Sequence, residues 1–173
     1  SLAQARAAID AWIALAERRG LDAIVVTASG CGTMLKDYGF LFRDDPAYAG
    51  RAARVAALTR DVSEVLDALP LPPAIRGAGL RVAYHAACSL AHGQRIVDAP
   101  RRLLRGAGFE VVEIPDGHLC CGSAGTYNML QPEFAEGLKA RKVKNIRSTS
   151  PDVIAAGNIG CMMQIGGTME VPV

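Results

Sequence analysis

The chain has 173 residues, of which 50% are apolar and 5% aromatic, so Ala, Leu, Val and Ile fill its interior. Its 19 basic and 17 acidic residues leave a net charge of +2, too little for a nucleic-acid footprint. No apolar run reaches the roughly 18 residues of a membrane span. Five cysteines without secretory features favour free or metal-bound thiols in a reducing, cytoplasmic compartment over a disulfide framework.

The first half of the chain predicts a helix, a strand and a second, longer helix. Residues 3–19 predict an amphipathic helix that Gly20 ends, and residues 22–27 predict a buried strand that runs toward Cys31. Apolar residues recur at every third or fourth position through 47–69, which predicts one continuous helix.

The second half alternates strands with helices, and each strand leads to cysteines. Strands are predicted over 80–85, 109–114 and 152–156, ahead of Cys88, of the pair Cys120 and Cys121, and of Cys161. Helices are predicted over 94–105 and 132–147. This order predicts an α/β fold with parallel strands and right-handed crossovers.

An internal repeat relates the two halves of the chain. Residues 21–35 read LDAIVVTASGCGTML and residues 151–165 read PDVIAAGNIGCMMQI. At an offset of 130, Cys31 aligns with Cys161, and a helical pattern precedes each segment. A helix–strand–Gly-Cys unit used twice predicts two related lobes.

We therefore expect a first lobe over 1–69, a Pro- and Gly-rich linker over 70–79 and a second lobe over 80–173, each lobe with a short parallel sheet flanked by helices. The first-lobe counterpart of the cysteine pair would precede the first residue, so we expect that lobe to be incomplete at its N-terminus. Cys31 is then either the last ligand of a site completed upstream or an ordinary buried thiol.

The predicted strands of the second lobe bring four thiols to one edge of its sheet. Cys88, Cys120, Cys121 and Cys161 each follow a strand, and ligands of such sheets bind beyond the carboxyl ends of the strands. Adjacent thiols reach one centre only from a turn, which Gly122 supports. The chain lacks the Cys-x-x-Cys knuckle of structural zinc sites, so an iron–sulfur cluster is favoured, while zinc and a redox dithiol remain open.

All three histidines lie close to these cysteines in sequence, and His92, four residues after Cys88, is a weaker candidate than the other two. His85 ends a predicted strand three residues before Cys88, and His118 lies two residues before Cys120. Each is a candidate ligand or hydrogen-bond donor to sulfur, with a surface or packing role as the alternative. The basic run 139–144 is interpreted as the solvated face of a helix.

Three motifs together resemble the cysteine-rich CCG domain family. They are DGHLCCGSAGTY at 116–127, ASGCGTMLKDY at 28–38 and NIGC at 158–161. The family includes the cysteine-rich subunit of heterodisulfide reductase and the iron–sulfur subunits of flavin-dependent 2-hydroxy-acid oxidases. The resemblance implies an iron–sulfur cluster held by the four thiols of the second lobe, with Cys31 as a ligand in the first.

The resemblance also implies a function in electron transfer. A partner flavoprotein would oxidise glycolate or a similar 2-hydroxy acid, and this subunit would pass the electrons toward a quinone or another acceptor. No substrate-oxidising group of its own is expected, and it would associate peripherally with the cytoplasmic face of the membrane. The alternatives are a zinc-binding structural or assembly module and a thiol–disulfide redox subunit like the heterodisulfide enzyme.

The chain departs from the family pattern at one position of each lobe. The closing Cys-x-x-Cys is Cys161-Met162-Met163-Gln164 in the second lobe and Cys31-Gly32-Thr33-Met34 in the first, so the last thiol is absent from both. The heterodisulfide reductase member of the family holds noncubane clusters through five cysteines per lobe. The departure favours an ordinary four-iron cluster or one completed by a ligand other than a thiol. Gln164 offers an oxygen for that purpose, or is an ordinary loop amide.

Overall fold

A computed structural model describes residues 1–71 and 79–173. It contains two small parallel sheets flanked by helices, which confirms the predicted α/β class. The strands are β1 (Ile24–Val26), β2 (Thr59–Asp61), β3 (Arg81–His85), β4 (Glu110–Val112) and β5 (Val153–Ala156). The α-helices are α1 (Leu2–Arg19), α2 (Ser29–Lys36), α3 (Tyr38–Leu41), α4 (Ala49–Leu58), α5 (Val62–Ala68), α6 (Ala99–Gly106), α7 (Tyr127–Leu130), α8 (Pro132–Arg147) and α9 (Ile159–Gly166). One turn of π-helix covers Ser89–Gly93.

Each sheet has its own apolar core. In the first half, β1 pairs with β2, and Ile9 of α1 packs in one buried cluster with Phe42 and Val55. In the second half, β3 lies between β4 and β5, and the core contains Ile146 and Ile154 together with two of the cysteines. The predicted lobe boundaries remain predictions, because residues 72–78 of the expected linker lie outside the described residues.

The repeated segments form the same local structure. A short strand leads to a helix in both, β1 to α2 and β5 to α9. Cys31 and Cys161 each occupy the third residue of that helix, and the residue before each helix is extended, with φ −117° at Ala28 and −149° at Asn158. The first strand is less buried than expected, since Val25 is 50% exposed.

The prediction of one helix over 47–69 is wrong. α4 ends at Leu58, β2 follows, and α5 begins at Val62. Asp61 is extended and accepts a hydrogen bond from the Ser63 amide, while Glu64 reaches back to the Asp61 amide, so a capping box starts α5. Apolar spacing continues through both helices because each buries one face, which concealed the strand between them.

The helix predicted over 94–105 is also shorter than expected. The π-helical turn and an irregular segment occupy the space before Ala99, where α6 begins with Pro100 in its first turn. Proline suits that position because its missing N–H would have no partner there. The short helices α3 and α7 and the cysteine-bearing α2 and α9 were not predicted.

One contact between the two halves joins α2 to the π-helical turn, and another joins α5 to α6. The hydroxyl oxygens of Ser29 and Ser89 lie 2.7 Å apart, and Thr33 Oγ1 donates to the Ser89 carbonyl at 2.9 Å. Gln94 Nε2 donates to the Ser29 carbonyl at 2.9 Å. These polar contacts place the first turn of α2 beside the segment that follows Cys88.

No helix within residues 1–71 and 79–173 is both long and apolar enough to span a membrane.

Candidate metal centre

Four cysteines follow the strands of the second sheet. Cys88 comes three residues after β3, Cys120 and Cys121 lie in the loop after β4, and Cys161 lies in the first turn of α9 after β5. Because β4, β3 and β5 are parallel neighbours, their carboxyl ends lie at one edge. Tertiary structure thus gathers side chains that are far apart in sequence.

The innermost group consists of His85, Cys121 and Cys161. A ligand atom from each lies within 4.8 Å of the others, and the three residues are exposed by 1%, 1% and 3%. Neither ring nitrogen of His85 makes a hydrogen bond of standard geometry among the described residues. A buried polar group left unpaired is costly, so this imidazole is suited to binding a group that fits beside the two thiols.

A second pair of thiols, Cys88 and Cys120, is half-buried. Burial raises the pKa of Cys88, and the neighbouring Cys120 raises it further through its charge and a thiol–thiol hydrogen bond. The charge of Cys121 also raises the pKa of Cys88, so the pair lies close to the inner group. Gly122 N–H donates to Cys120 Sγ at 3.3 Å.

The two inner thiols have pKa values that are shifted in opposite directions. The hydrogen bond to Cys161 and burial raise the pKa of Cys121 to about 12, while a weak hydrogen-bonding contact with His85 opposes the rise. The hydrogen bond from Cys121 lowers the pKa of Cys161, and Asn158 Nδ2, which donates to Cys161 Sγ at 3.4 Å, lowers it as well. Cys161 is therefore the first of the two to become the thiolate that metals bind.

Glycine is required where the thiol loop meets α8. Gly122 has φ +90°, and a Cβ there would lie 2.3 Å from the carbonyl oxygen of Ala135. The predicted turn after the cysteine pair is therefore present, and no side chain fits inside it. At Gly160, a Cβ would lie 2.6 Å from Ser123 Oγ, so α9 also approaches the thiol loop closely.

Lys142 is a residue of the site that the sequence did not identify. It was interpreted as part of a solvated helix face, but it is 1% exposed. Its Nζ donates to the carbonyls of Asp116 and Gly117, at 3.1 and 3.2 Å. Burial lowers the pKa of Lys142, and the nearby thiols of Cys121 and Cys120 oppose this. The sequence signal for its burial was its spacing along the helix, which places Lys142 on the same face as the buried residues Ala135, Val143 and Ile146.

The remaining predicted residues lie outside the inner group. Cys31 is exposed in the first turn of α2, and His118 is exposed in the loop before the cysteine pair. Gln164 is half-buried on α9, where its Oε1 accepts a hydrogen bond from Asn128 at 3.4 Å. The roles of Cys31, His118 and Gln164 at a cluster remain predictions.

This arrangement suits a soft metal centre. Thiolates and imidazole bind iron and zinc, and N–H groups directed at sulfur stabilise the anionic form of the thiols. The buried charge of Lys142 favours the same anionic group. The second half of the chain is thus an α/β domain of the class that collects cysteine ligands at one sheet edge.

The comparison with protein families identifies this domain. Residues 82–166 match the family model of the cysteine-rich domain CCG, and this part of the chain belongs to that family. The matched segment contains Cys88, Cys120, Cys121 and Cys161.

Characterised relatives extend over both halves of the chain. It is 41% identical, over 95% of its length, to the glycolate oxidase iron–sulfur subunit of Escherichia coli strain K12. It is 34% identical to lactate utilization protein A of Bacillus licheniformis and 36% identical to that of Geobacillus kaustophilus, over 83% of its length in both cases. The chain spans 40% of the first relative and 61% of the other two.

Proposed function

We propose that this chain is part of an iron–sulfur electron-transfer subunit of a flavin-dependent 2-hydroxy-acid oxidase. The observation that carries the proposal is the group of His85, Cys121 and Cys161, whose ligand atoms lie within 4.8 Å of one another in the segment that matches the cysteine-rich family. The thiols of Cys88 and Cys120 interact with this group. The 41% identity to a glycolate oxidase iron–sulfur subunit supports this assignment, with glycolate as the first candidate substrate of the complex.

We propose that Cys88, Cys120, Cys121 and Cys161 hold the cluster, of the four-iron type. When bound, the cluster supplies one-electron oxidation and reduction. The protein surrounds the four thiols with the buried ammonium of Lys142 and with N–H donors from Gly122 and Asn158. Burial of Cys121 and Cys161 excludes water from the inner side of the centre.

The wider reaction belongs to the complex. A flavoprotein partner would oxidise the hydroxy acid to the oxo acid, and the electrons would leave toward a quinone or another acceptor. We place this transfer at the cytoplasmic face of the membrane, by peripheral association. Cys31 is proposed as a ligand of a second centre in the first lobe.

Anaerobic reconstitution followed by iron, acid-labile sulfide and zinc analysis tests the proposal. The wild-type chain should bind iron with sulfide and absorb broadly in the visible range, and Cys121→Ser should lose most of both. Stoichiometric zinc without sulfide would contradict the electron-transfer proposal.

Zinc remains a second candidate because of one observation. His85, Cys121 and Cys161 lie within 4.8 Å of one another and form a mixed thiol and imidazole group of the kind that zinc also binds. In that case the chain would be a structural or assembly module, colourless when loaded, and the same metal and sulfide analysis distinguishes the two.

A further inference from the structure

We propose that an imidazole nitrogen of His85 is itself a ligand of the cluster and replaces the second thiol of the family's closing Cys-x-x-Cys motif, which this chain lacks. This inference rests on the proposed iron–sulfur function. It adds one neutral imidazole to the four thiols of the second lobe, so the cluster would have five protein ligands for its four irons and would not be the ordinary kind with one ligand for each iron.

The position of His85 supports direct ligation. The residue is 1% exposed, neither ring nitrogen makes a hydrogen bond of standard geometry among the described residues, and a nitrogen lies within 4.8 Å of the sulfurs of Cys121 and Cys161. An imidazole that served only in packing would leave a buried N–H and a buried lone pair unsatisfied. A metal ion beside the two sulfurs satisfies the lone pair.

The backbone holds His85 in place. It is the last residue of β3, where it pairs with Ala156 of β5, and β3 is the central strand of the sheet. Ala83, two residues earlier and thus on the same face, lies in the core cluster that contains Cys121 and Cys161. A side chain on a central strand is positioned more rigidly than one on a loop, as ligation requires.

The other candidates for the missing ligand are less suitable. Gln164 occupies the position of the absent thiol, but its amide oxygen already accepts a hydrogen bond from Asn128. His92 and His118 are exposed, and a ring nitrogen of His92 contacts the His118 carbonyl at 3.1 Å. Of the chain's three histidines, His85 alone belongs to the group of converging ligands among the described residues.

A neutral ligand in place of a thiolate changes the redox behaviour. Compared with a thiolate at the same position, imidazole leaves one negative charge fewer on the cluster, so the cluster is easier to reduce. Clusters with imidazole ligands have higher reduction potentials than clusters held by thiolates alone. His85→Cys should therefore bind iron and sulfide but lower the reduction potential relative to the wild type. A role in packing alone predicts no such shift in that direction.

The decisive experiment labels only the imidazole rings of the histidines with 15N and leaves the protein otherwise unchanged. The full chain is reconstituted anaerobically and reduced, and pulsed electron paramagnetic resonance measures nitrogen couplings. We expect a coupling of the size of a directly bound nitrogen that changes from the 14N to the 15N pattern on labelling. It should vanish in His85→Gln and persist in His92→Gln.

The outcomes separate the two proposals. Iron and sulfide in the wild type with no labelled coupling, or with only the weak coupling of a hydrogen-bonded ring, would overturn ligation by His85 and leave the electron-transfer function standing. Absence of iron and sulfide would overturn the function itself. Mössbauer spectra of the 57Fe-loaded chain give an independent readout: the iron that binds His85 should change its isomer shift in His85→Cys, and identical spectra would refute ligation.

Discussion

The two copies of the repeat form the same kinds of element in the same order but have different surroundings. β1–α2 and β5–α9 each place a cysteine at the third residue of a helix that follows a strand. Cys161 is 3% exposed and lies beside Cys121, His85 and Asn158, whereas Cys31 is exposed. A strand–helix unit therefore presents a thiol, but its neighbours decide whether that thiol joins a centre.

Small differences in sequence accompany this difference in surroundings. Asn158 precedes α9 and donates to Cys161 Sγ, while Ala28 precedes α2 and has no side-chain donor. The first turn of α2 instead directs Ser29 and Thr33 toward the π-helical turn of the other half. The second copy contributes a thiol to the site, whereas the first turn of α2 contributes to the contact between the halves.

The largest expected effect comes from Gly122, which we compare with Gly20 of the first half. Gly122→Ala should destabilise the fold by about 3 kcal/mol or more, because strain at φ +90° adds to a collision with the Ala135 carbonyl. Gly20→Ala should cost only about 1 kcal/mol, since φ is +71° but nothing lies within 4 Å of the new methyl group. Urea unfolding of both variants measures the difference, and equal losses would show that the thiol loop tolerates a side chain.

The second prediction compares the cysteines of the two repeat copies, Cys161 and Cys31. Cys161→Ser should lower the affinity for iron by about 10–100-fold or more, because a thiolate ligand of a converging group is removed. Cys31→Ser should leave the iron and sulfide content of the second lobe unchanged. Metal and sulfide analysis after desalting measures both, and an equal loss in Cys31→Ser would break the distinction between the two copies.

A smaller effect is expected from the residue that precedes each helix. Asn158→Ala should lower iron affinity by about tenfold, since an N–H group that stabilises the Cys161 thiolate is lost. The reciprocal change in the other copy, Ala28→Asn, should have no effect on metal content. Titration with a competing chelator measures the affinities, and unchanged affinity in Asn158→Ala would remove this residue from the site.

The smallest effect concerns Asp116, at the start of the thiol loop. Hydrogen bonds from Arg141 and Asn145 hold the pKa of this carboxyl below its ordinary value of 3.8. A lowered folded-state pKa means that the stabilisation is present above the ordinary value and is lost as the pH falls through the lowered one. Asp116→Asn should therefore flatten the fall in melting temperature below about pH 4, and an unaltered pH profile would contradict it. Asp45→Asn, at an ion pair of the first half, should flatten the same part of the profile, because a hydrogen bond from Arg6 lowers the pKa of that carboxyl as well.

Much of the second half was predictable because each strand is short, apolar and followed by a cysteine. The sequence spacing placed β3, β4 and β5 correctly and identified the thiols that follow them. Prediction failed over 47–69 because two helices and the strand between them share one apolar spacing, and the capping residues Asp61 and Glu64 were overlooked. The burial of Lys142 was not predicted, because the basic run around it indicated an exposed helix face. Its position on the helix, in line with buried residues, indicated the opposite.

The amino-acid sequence by itself determined the alternation of strands and helices, the repeat and the choice of thiols, because these follow from local periodicity and residue chemistry. Only the tertiary structure decided that His85 and Lys142 are buried beside Cys121 and that Cys31 is not. Burial and distance depend on which strands pair and which helices pack against them. That is why two nearly equivalent segments of one chain have different chemical surroundings.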